Sequence, residues 1–200
     1  LGENWYRTNG FAPGDAPDSD LSTATFADAI LGPQTVFANS AVTVTGITFG
    51  DTNAGTIQQP YAIAGLGSVN LDSVATSSTI DVLEGSHQFQ VDVNLNDATD
   101  VDVASGASLA FNGTLHLGGN TLTKTGAGTM DINGTLIPAG GSVMLAAGAL
   151  GGSGQIIGDL HNTGGAVTPG NSPGELTVTG DYTHGPGATL AIQLAGLVQG

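Results

Sequence analysis

The feature that most constrains the fold of this chain is a tandem repeat of 21 residues. When Leu109–Thr129 is aligned with Met130–Leu150, the tetrapeptide Asn112–Leu115 falls on the identical Asn133–Leu136. Along the rest of the unit, apolar residues meet apolar residues and turn residues meet turn residues. Self-similarity at a period of about 20–50 residues indicates a solenoid, because one such unit cannot bury its apolar face without a neighbour.

Alternation of apolar and polar residues predicts the structure of each unit. Short alternating segments separated by Gly, Asn, Asp or Ser are typical of strands with one buried face. Met144–Leu150 is the one stretch after residue 35 that resembles a helix, and its glycine makes it a poor one. The alternating apolar residues are Val42 and Val44, Ile47 and Phe49, Tyr61 and Ile63, Val69 and Leu71, Ile80 and Val82, Val91, Val93 and Leu95, Val101 and Val103, Leu109 and Phe111, Leu115 and Leu117, and Leu176 and Val178.

These two patterns together predict an all-β fold, a right-handed parallel β-helix (β-solenoid) of about 21 residues per coil where it is regular. Inward Val, Ile and Leu would form apolar columns, outward Thr would form ladders, and Gly would turn the corners. Asn112 stacked on Asn133 would form a hydrogen-bonded ladder. Residues 36–200 would give roughly eight coils, or about 40 Å of rod, with irregular spacing outside 109–150.

Composition excludes several other classes. The chain has 33 Gly without a collagen period, and only 10% charged residues, too few for long solvated helices. Its net charge of −15, with only Arg7 and Lys124 as basic residues, argues against nucleic-acid partners and against anionic membrane surfaces. Zero Cys removes disulfides and thiol chemistry. No apolar run is long enough for a transmembrane helix, so membrane insertion is not expected.

The sequence predicts two regions. Residues 1–35 contain Trp5, three prolines and several Asp, and we interpret them as an irregular lead-in in which Trp5 and Phe26 cover the open end of the solenoid. Residues 36–200 form the predicted β-helix, which we expect to continue beyond the chain end. The absence of an initial Met indicates a processed or excised segment.

Four segments resemble known repeats. Leu122–Met130 (LTKTGAGTM) resembles a motif of the bacterial autotransporter-associated β-strand repeat, and Pro169–Val178 (PGNSPGELTV) resembles a segment common in passenger-type proteins of the same kind. Gly151–Gly158 and Gly180–Thr183 extend the resemblance across roughly 109–194. The resemblance implies a right-handed parallel β-helix in a secreted or surface-attached bacterial protein with an adhesive or scaffold role.

Candidate sites are few. Asp97, Asp100 and Asp102, with Asp92 nearby, supply oxygen ligands that could bind Ca²⁺, although no EF-hand or glycine-rich calcium repeat is present, and a solvated strand face is the simpler interpretation. No cofactor is expected beyond weak surface Ca²⁺. The histidines at positions 87, 116, 161 and 184 are predicted to be isolated on the surface.

Lys124 could form an isopeptide bond with Asn or Asp, but the simpler expectation is that it caps a Thr face or pairs with Asp131. Enzyme activity is not expected, because a β-helix lyase needs basic residues and a hydrolase needs paired carboxylates in a cleft. Asp100 and Asp102 share one face two residues apart, without an aromatic platform near them in sequence. Trp5, Tyr6, Tyr61 and Tyr182 are scattered in sequence.

The function predicted from sequence is that of a structural or adhesive β-solenoid segment of a secreted, extracellular bacterial surface protein. Uncapped ends would allow copies to stack head to tail into an extracellular filament. The alternative is a carbohydrate-binding or polysaccharide-cleaving β-helix. A glycan or another cell-surface ligand is the possible partner.

Overall fold

The computed structural model describes residues 20–27, 32–50, 59–75, 77–170 and 174–193. Within them the chain forms 23 short strands and no helix. Each complete lap of the described chain contributes one strand to each of three sheets, which contain eight, eight and seven strands.

Sheet A contains β1 (Thr23–Phe26), β4 (Gly46–Phe49), β7 (Ser77–Val82), β10 (Ala98–Val103), β13 (Thr121–Thr125), β16 (Ser142–Leu145), β19 (Leu160–Asn162) and β22 (Tyr182–His184). Sheet B contains β2 (Gln34–Phe37), β5 (Tyr61–Ala64), β8 (Ser86–Phe89), β11 (Ser108–Phe111), β14 (Thr129–Ile132), β17 (Ala149–Gly151), β20 (Ala166–Val167) and β23 (Thr189–Leu190). Sheet C contains β3 (Val42–Val44), β6 (Ser68–Leu71), β9 (Asp92–Leu95), β12 (Leu115–His116), β15 (Thr135–Ile137), β18 (Gln155–Ile156) and β21 (Thr177–Val178).

The strands of each sheet pair in parallel with the strands one lap before and after, so the predicted parallel β-solenoid is confirmed. It makes about seven turns of about 22 residues, close to the predicted eight coils of 21. The eight strands of sheet A span about 34 Å at an inter-strand spacing of about 4.8 Å.

The predicted repeat matches the strand register residue by residue. Leu109 pairs with Met130, Leu115 with Leu136 and Leu122 with Val143, each at an offset of 21. Elsewhere the offset varies, from 33 between Gly46 and Thr79 to 17 between Val143 and Leu160. The long early laps explain why the described residues make fewer turns than predicted.

The interior consists of stacked apolar columns, because alternate residues of every lap point inward. The first laps fill it with aromatic rings: Phe26 stacks on Phe49 with centroids 5.0 Å apart, and Phe89 stacks on Phe111 at 5.3 Å. Later laps use aliphatic residues. The stretch Met144–Leu150, considered above as a poor helix, instead belongs to β16, a corner and the start of β17.

The solenoid begins earlier than the boundary at 35/36. β1 lies at Thr23–Phe26 and pairs with β4, and β2 begins at Gln34, so both belong to the first coil rather than to an irregular lead-in. The alternation of exposed and buried residues in β1 is the same pattern as later in the chain, but β1 is the one such strand among the described residues before Pro33. Phe26 is buried inside this coil, and Trp5 lies outside the described residues.

One corner shows why glycine recurs at the turns. Gly118 and Gly119 have φ values of 58° and 90°, and the residues one lap later, Ala139 and Gly140, have 54° and 94°. Two successive left-handed residues form a tight turn that favours Gly. Ala139 is the one described non-glycine residue with a positive φ, so this corner keeps its shape despite a residue that disfavours it.

Candidate functional site

The outer surface carries a ladder of polar side chains across four laps. Asn112 Nδ2 donates to Gln88 Oε1 at 2.7 Å, and Asn133 Nδ2 donates to Asn112 Oδ1 at 2.9 Å. Asn133 Oδ1 then accepts from the backbone N–H of Ser153 at 3.2 Å. The predicted Asn ladder is therefore confirmed. Gln88 lies on β8 of sheet B, whereas Asn112 and Asn133 directly follow their sheet B strands, where each lap turns toward sheet C.

A second ladder crosses sheet C. Asn94 Nδ2 donates to Asn70 Oδ1 at 2.8 Å, and Asn70 Nδ2 donates to Thr43 Oγ1 at 3.5 Å. His116 occupies the next outward position, because it pairs in register with Asn94. These amides bind each other, which indicates a stacking role rather than a ligand site.

The acidic residues singled out by the sequence lie on and beside sheet A. Asp100 and Asp102 are outward on β10, as predicted, and Asp102 lies beside Asp81 of β7 in register. Asp97 is at the corner before β10, where its Oδ2 accepts from the backbone N–H of Ser73 at 2.6 Å. Asp102 Oδ2 accepts from Thr125 Oγ1 at 2.9 Å on the following lap. These two carboxylates therefore bond to opposite neighbouring laps.

Burial and like charge act on this acidic face. Burial raises the pKa of the half-buried Asp81 carboxyl, a hydrogen bond from Thr79 Oγ1 lowers it, and the charges of Asp102 and Asp100 raise it further. Asp131 on sheet B also has a raised pKa because of burial. Both carboxyls are therefore more easily protonated than an exposed aspartate.

No three His, Asp or Glu side chains among the described residues come together in a way that could hold a metal ion. Asp92, the fourth acidic residue of the cluster, uses its Oδ1 to accept from the backbone N–H of Thr114 at 2.9 Å. The interpretation of Asp97, Asp100 and Asp102 as calcium ligands gains no support from this arrangement and stays a prediction.

His87 corrects the expectation that every histidine is an isolated surface residue. It is inward on β8, only 2% exposed, and stacks on Phe49 with ring centroids 4.5 Å apart. Its Nδ1 accepts from the backbone N–H of Tyr61 at 3.2 Å, and its Nε2 lies 2.9 Å from the carbonyl oxygen of Glu84. This pair of contacts requires the neutral ring with the proton on Nε2. Burial lowers the pKa of His87, partly offset by the Glu84 carbonyl.

The other two described histidines near the end of the chain are on the surface. His161 Nδ1 lies 3.3 Å from Thr183 Oγ1, and His184 Nδ1 lies 3.1 Å from the Tyr182 hydroxyl. Sequence alternation alone would have placed His87 inward, since its neighbours Ser86 and Gln88 are polar and Phe89 follows. The prediction placed His87 on the surface because histidine is polar.

Lys124 overturns the expectation that it caps an outer Thr face or pairs with Asp131. It occupies an inward position of β13, between Val101 and Leu145 in register, and its side chain is fully buried. Its Nζ donates to the carbonyl oxygens of Thr125 and, at 3.0 Å, Gly126. Burial lowers the pKa of Lys124 to about 8, an effect opposed by the negative charge of Asp102. The ammonium group therefore stabilises, from the interior of the solenoid, the turn that follows β13.

The aromatic residues considered for sugar stacking are not gathered in one outer row within the described chain. Tyr61 is buried in the first laps, where its hydroxyl donates to the carbonyl oxygen of Ala27 at 2.7 Å. Tyr182 is in the last lap on sheet A, far along the rod from Tyr61. Trp5 and Tyr6 lie outside the described residues, as does Arg7.

A search of the described residues for a helix long and apolar enough to cross a membrane finds none. Comparison of the chain with family models, with curated proteins and with solved structures gives no match.

Proposed function

We propose that this chain is a structural or adhesive β-solenoid segment of a secreted bacterial surface protein, acting as a stiff spacer. The observation that carries the proposal is the use of its side chains. Inward residues form continuous columns through the laps, and outward polar residues bond mainly to the equivalent residue one lap away. These contacts between successive laps make the molecule long and stiff.

The surface chemistry suits an extracellular rod. The outward Asp, Asn and Thr residues keep the faces hydrated, and the net charge of −15 opposes lateral association through like-charge repulsion. The three faces carry ladders of residues about 4.8 Å apart, a regular surface that an adhesive contact could use.

The proposed location rests on the resemblance of Leu122–Met130 and Pro169–Val178 to passenger-type repeats. The arrangement of Lys124 gives the first of these motifs a physical role, because its ammonium group bonds the carbonyls of the Thr-Gly corner that follows. A motif that stabilises its own corner is what a repeated building unit requires.

The location is tested with antibodies raised against this chain and applied to the bacterium that produces it. Intact cells should be labelled, and brief protease treatment of intact cells should remove the label. Labelling that requires permeabilised cells would contradict the proposal. A cytoplasmic protein of the same cells provides the control for lysis.

The structural role is tested separately with the purified chain. A glycan array and a sugar-release assay on neutral and acidic polysaccharides should give neither saturable binding to a defined glycan nor product. Turnover of a polysaccharide would replace the structural role with the carbohydrate-cleaving alternative. Saturable binding of a defined glycan without turnover would favour the carbohydrate-binding alternative.

A further inference from the structure

Two asparagines of the described chain are followed directly by glycine: Asn112 precedes Gly113, and Asn133 precedes Gly134. Both pairs begin the same tetrapeptide, Asn-Gly-Thr-Leu, and they occupy equivalent positions one lap apart. Asparagine is a chemically labile residue, and a following glycine leaves the backbone nitrogen beside its side chain uncovered. Because the local sequence is the same, a difference in reactivity between the two sites must come from the tertiary structure.

The reaction open to such a pair is an intramolecular loss of ammonia. The glycine amide nitrogen attacks Cγ of the preceding asparagine, so that a new N–Cγ bond forms and the Cγ–Nδ2 bond breaks. The amide proton leaves with the side-chain nitrogen as ammonia. Water then opens the five-membered succinimide ring at either carbonyl and gives aspartate or isoaspartate. The attack therefore requires a free asparagine side chain and a free glycine N–H.

The two asparagine side chains are restrained to the same extent by the ladder. Asn112 donates to Gln88 Oε1 at 2.7 Å and accepts from Asn133 Nδ2 at 2.9 Å. Asn133 donates through that same bond and accepts from the backbone N–H of Ser153 at 3.2 Å. Each side chain must give up two hydrogen bonds before its Cγ can be attacked, so the ladder slows both reactions in the same way.

The two glycine amides are held differently. The N–H of Gly134 donates to the carbonyl oxygen of Phe111 on the preceding lap at 3.0 Å. The N–H of Gly113 makes no hydrogen bond to any residue that the structure describes. Asn112 is also exposed, whereas Asn133 is half-buried, so water reaches a succinimide at position 112 more readily. Both differences favour reaction at Asn112.

We propose that Asn112 is a modification site at which the folded chain deamidates spontaneously, and that the fold protects Asn133 from the same reaction. The ratio of the two rates should be about tenfold, which is the rate equivalent of the one additional hydrogen bond that must break at Gly134. Water is the only co-reactant. The modification does not depend on the surface role proposed above.

The two products differ in how they fit the corner. An aspartate at position 112 keeps an oxygen that accepts from Asn133, and the amide of Gln88 can turn to donate to the new carboxylate. An isoaspartate lengthens the backbone by one methylene where successive laps are in close contact. An added Cβ at Gly113 or Gly134 would already overlap a backbone carbonyl oxygen one lap earlier. Isoaspartate is therefore the product that disturbs the packing of the laps.

Peptide mapping of the aged protein tests the proposal, with the second tetrapeptide as an internal control. The purified chain is incubated at one mildly alkaline pH and temperature, both in native buffer and unfolded in guanidinium chloride. Mass spectrometry with electron-transfer fragmentation locates each deamidation and distinguishes aspartate from isoaspartate. Unfolded chains should react at similar rates at Asn112 and Asn133, whereas folded chains should react about tenfold faster at Asn112.

Three results would overturn the proposal: equal rates at the two sites in the folded chain, a faster reaction at Asn133, or an intact Asn112 after the unfolded chain has been modified. Asn112→Asp is the control variant, because it removes the reactive amide and keeps the oxygen that accepts from Asn133. It should leave the rate at Asn133 unchanged, and circular dichroism shows whether it keeps its strands.

Amide hydrogen exchange measures the structural cause directly. The N–H of Gly113 should exchange with solvent faster than the N–H of Gly134, because only the latter is bonded to the preceding lap. NMR of the unmodified chain resolves the two amides. Equal protection of both would remove the difference on which the preference for Asn112 rests and would also overturn it. Neither measurement affects the labelling of cell surfaces.

Discussion

The first and second halves of the rod fill the same three-sided interior in different ways. In the early laps, stacked rings of Phe26, Phe49, His87, Phe89 and Phe111 occupy the core, and laps are long. After Phe111 no phenylalanine occurs, and residues 103–200 contain 23 of the 33 glycines. Successive laps there come as close as 17 residues apart.

The difference lies in the side chains that fill the core, because laps of similar length contain either kind: Phe89 pairs with Phe111 at an offset of 22, and Leu109 with Met130 at an offset of 21. Close contact between the turns of successive laps requires glycine. An added Cβ at Gly134 or Gly154 would overlap the backbone carbonyl oxygen of the glycine one lap earlier. The same contact occurs in the first half, since a Cβ at Gly67 would overlap the carbonyl oxygen of Ser40. The two halves therefore share close backbone contact between laps, and the first half adds the packing of aromatic rings in its core.

Removing a central ring should have the largest effect. Phe49 is fully buried and packs between Phe26 and His87, so Phe49→Ala should lower the free energy of unfolding by about 3–5 kcal/mol. Phe37→Ala, at a site that is 56% exposed, is the control and should cost much less. Urea unfolding followed by circular dichroism measures both. Equal losses would mean that the early laps do not depend on the ring stack.

A single added methyl group should destabilise the second half. Gly134→Ala places a Cβ against the carbonyl oxygen of Gly113 and should lower the free energy of unfolding by about 3 kcal/mol through the forced shift between laps. Gly32→Ala has open space around the new Cβ and should be nearly neutral. The same urea experiment applies. A neutral Gly134→Ala would show that the laps can separate there at little cost.

Lys124 sharpens the comparison, because it is a charge buried in the aliphatic half. The folded pKa of about 8 lies below the ordinary value of 10.5, so between these pH values the unfolded chain binds more protons than the folded chain. Stability should therefore rise with pH across this window, by up to about 3 kcal/mol. In Lys124→Met the rise should be absent. Chemical unfolding at neutral and alkaline pH measures it, and an equal rise in both proteins would contradict the assignment.

His87 gives the opposite test in the aromatic half. Its pKa is lowered by burial from 6.5, so the unfolded chain binds a proton there at higher pH than the folded chain. The stability that the neutral ring contributes is present above about pH 6.5 and is lost as the pH falls toward the folded pKa. His87→Phe should show a smaller loss on mild acidification. The raised pKa values of Asp81 and Asp131 act in the other direction in both proteins, and so cancel in the comparison.

The smallest expected effect is a gain. Ala139 has a left-handed backbone conformation with φ of 54°, whereas its equivalent one lap earlier is Gly118. Ala139→Gly should raise the free energy of unfolding by about 0.5–1 kcal/mol, because relief of the strained φ outweighs the greater freedom of glycine in the unfolded chain. Thermal unfolding should show a slightly higher midpoint. A lower midpoint would mean that the alanine methyl group has a packing role at this corner.

The predictions from sequence succeeded where the polarity of a residue agrees with its position, apolar inside and polar outside. Period-two alternation identified the strands, the 21-residue repeat gave the register of 109–150, and stacked Asn112 and Asn133 implied their hydrogen bond. They failed where a polar residue occupies an inward position. Lys124 and His87 obey the same alternation as their apolar neighbours, but their chemistry favoured the surface until the partners of their nitrogen atoms were known.

The sequence by itself determined that this chain coils into stacked laps. The chain has an apolar residue at every second position and a repeat near one lap in length, and these leave few other ways to bury the apolar side chains. Only the tertiary structure decided which strands pair across laps of unequal length and which polar groups lie inside. Those properties depend on neighbours one lap away, about 17–33 residues distant in the chain, which local patterns cannot identify.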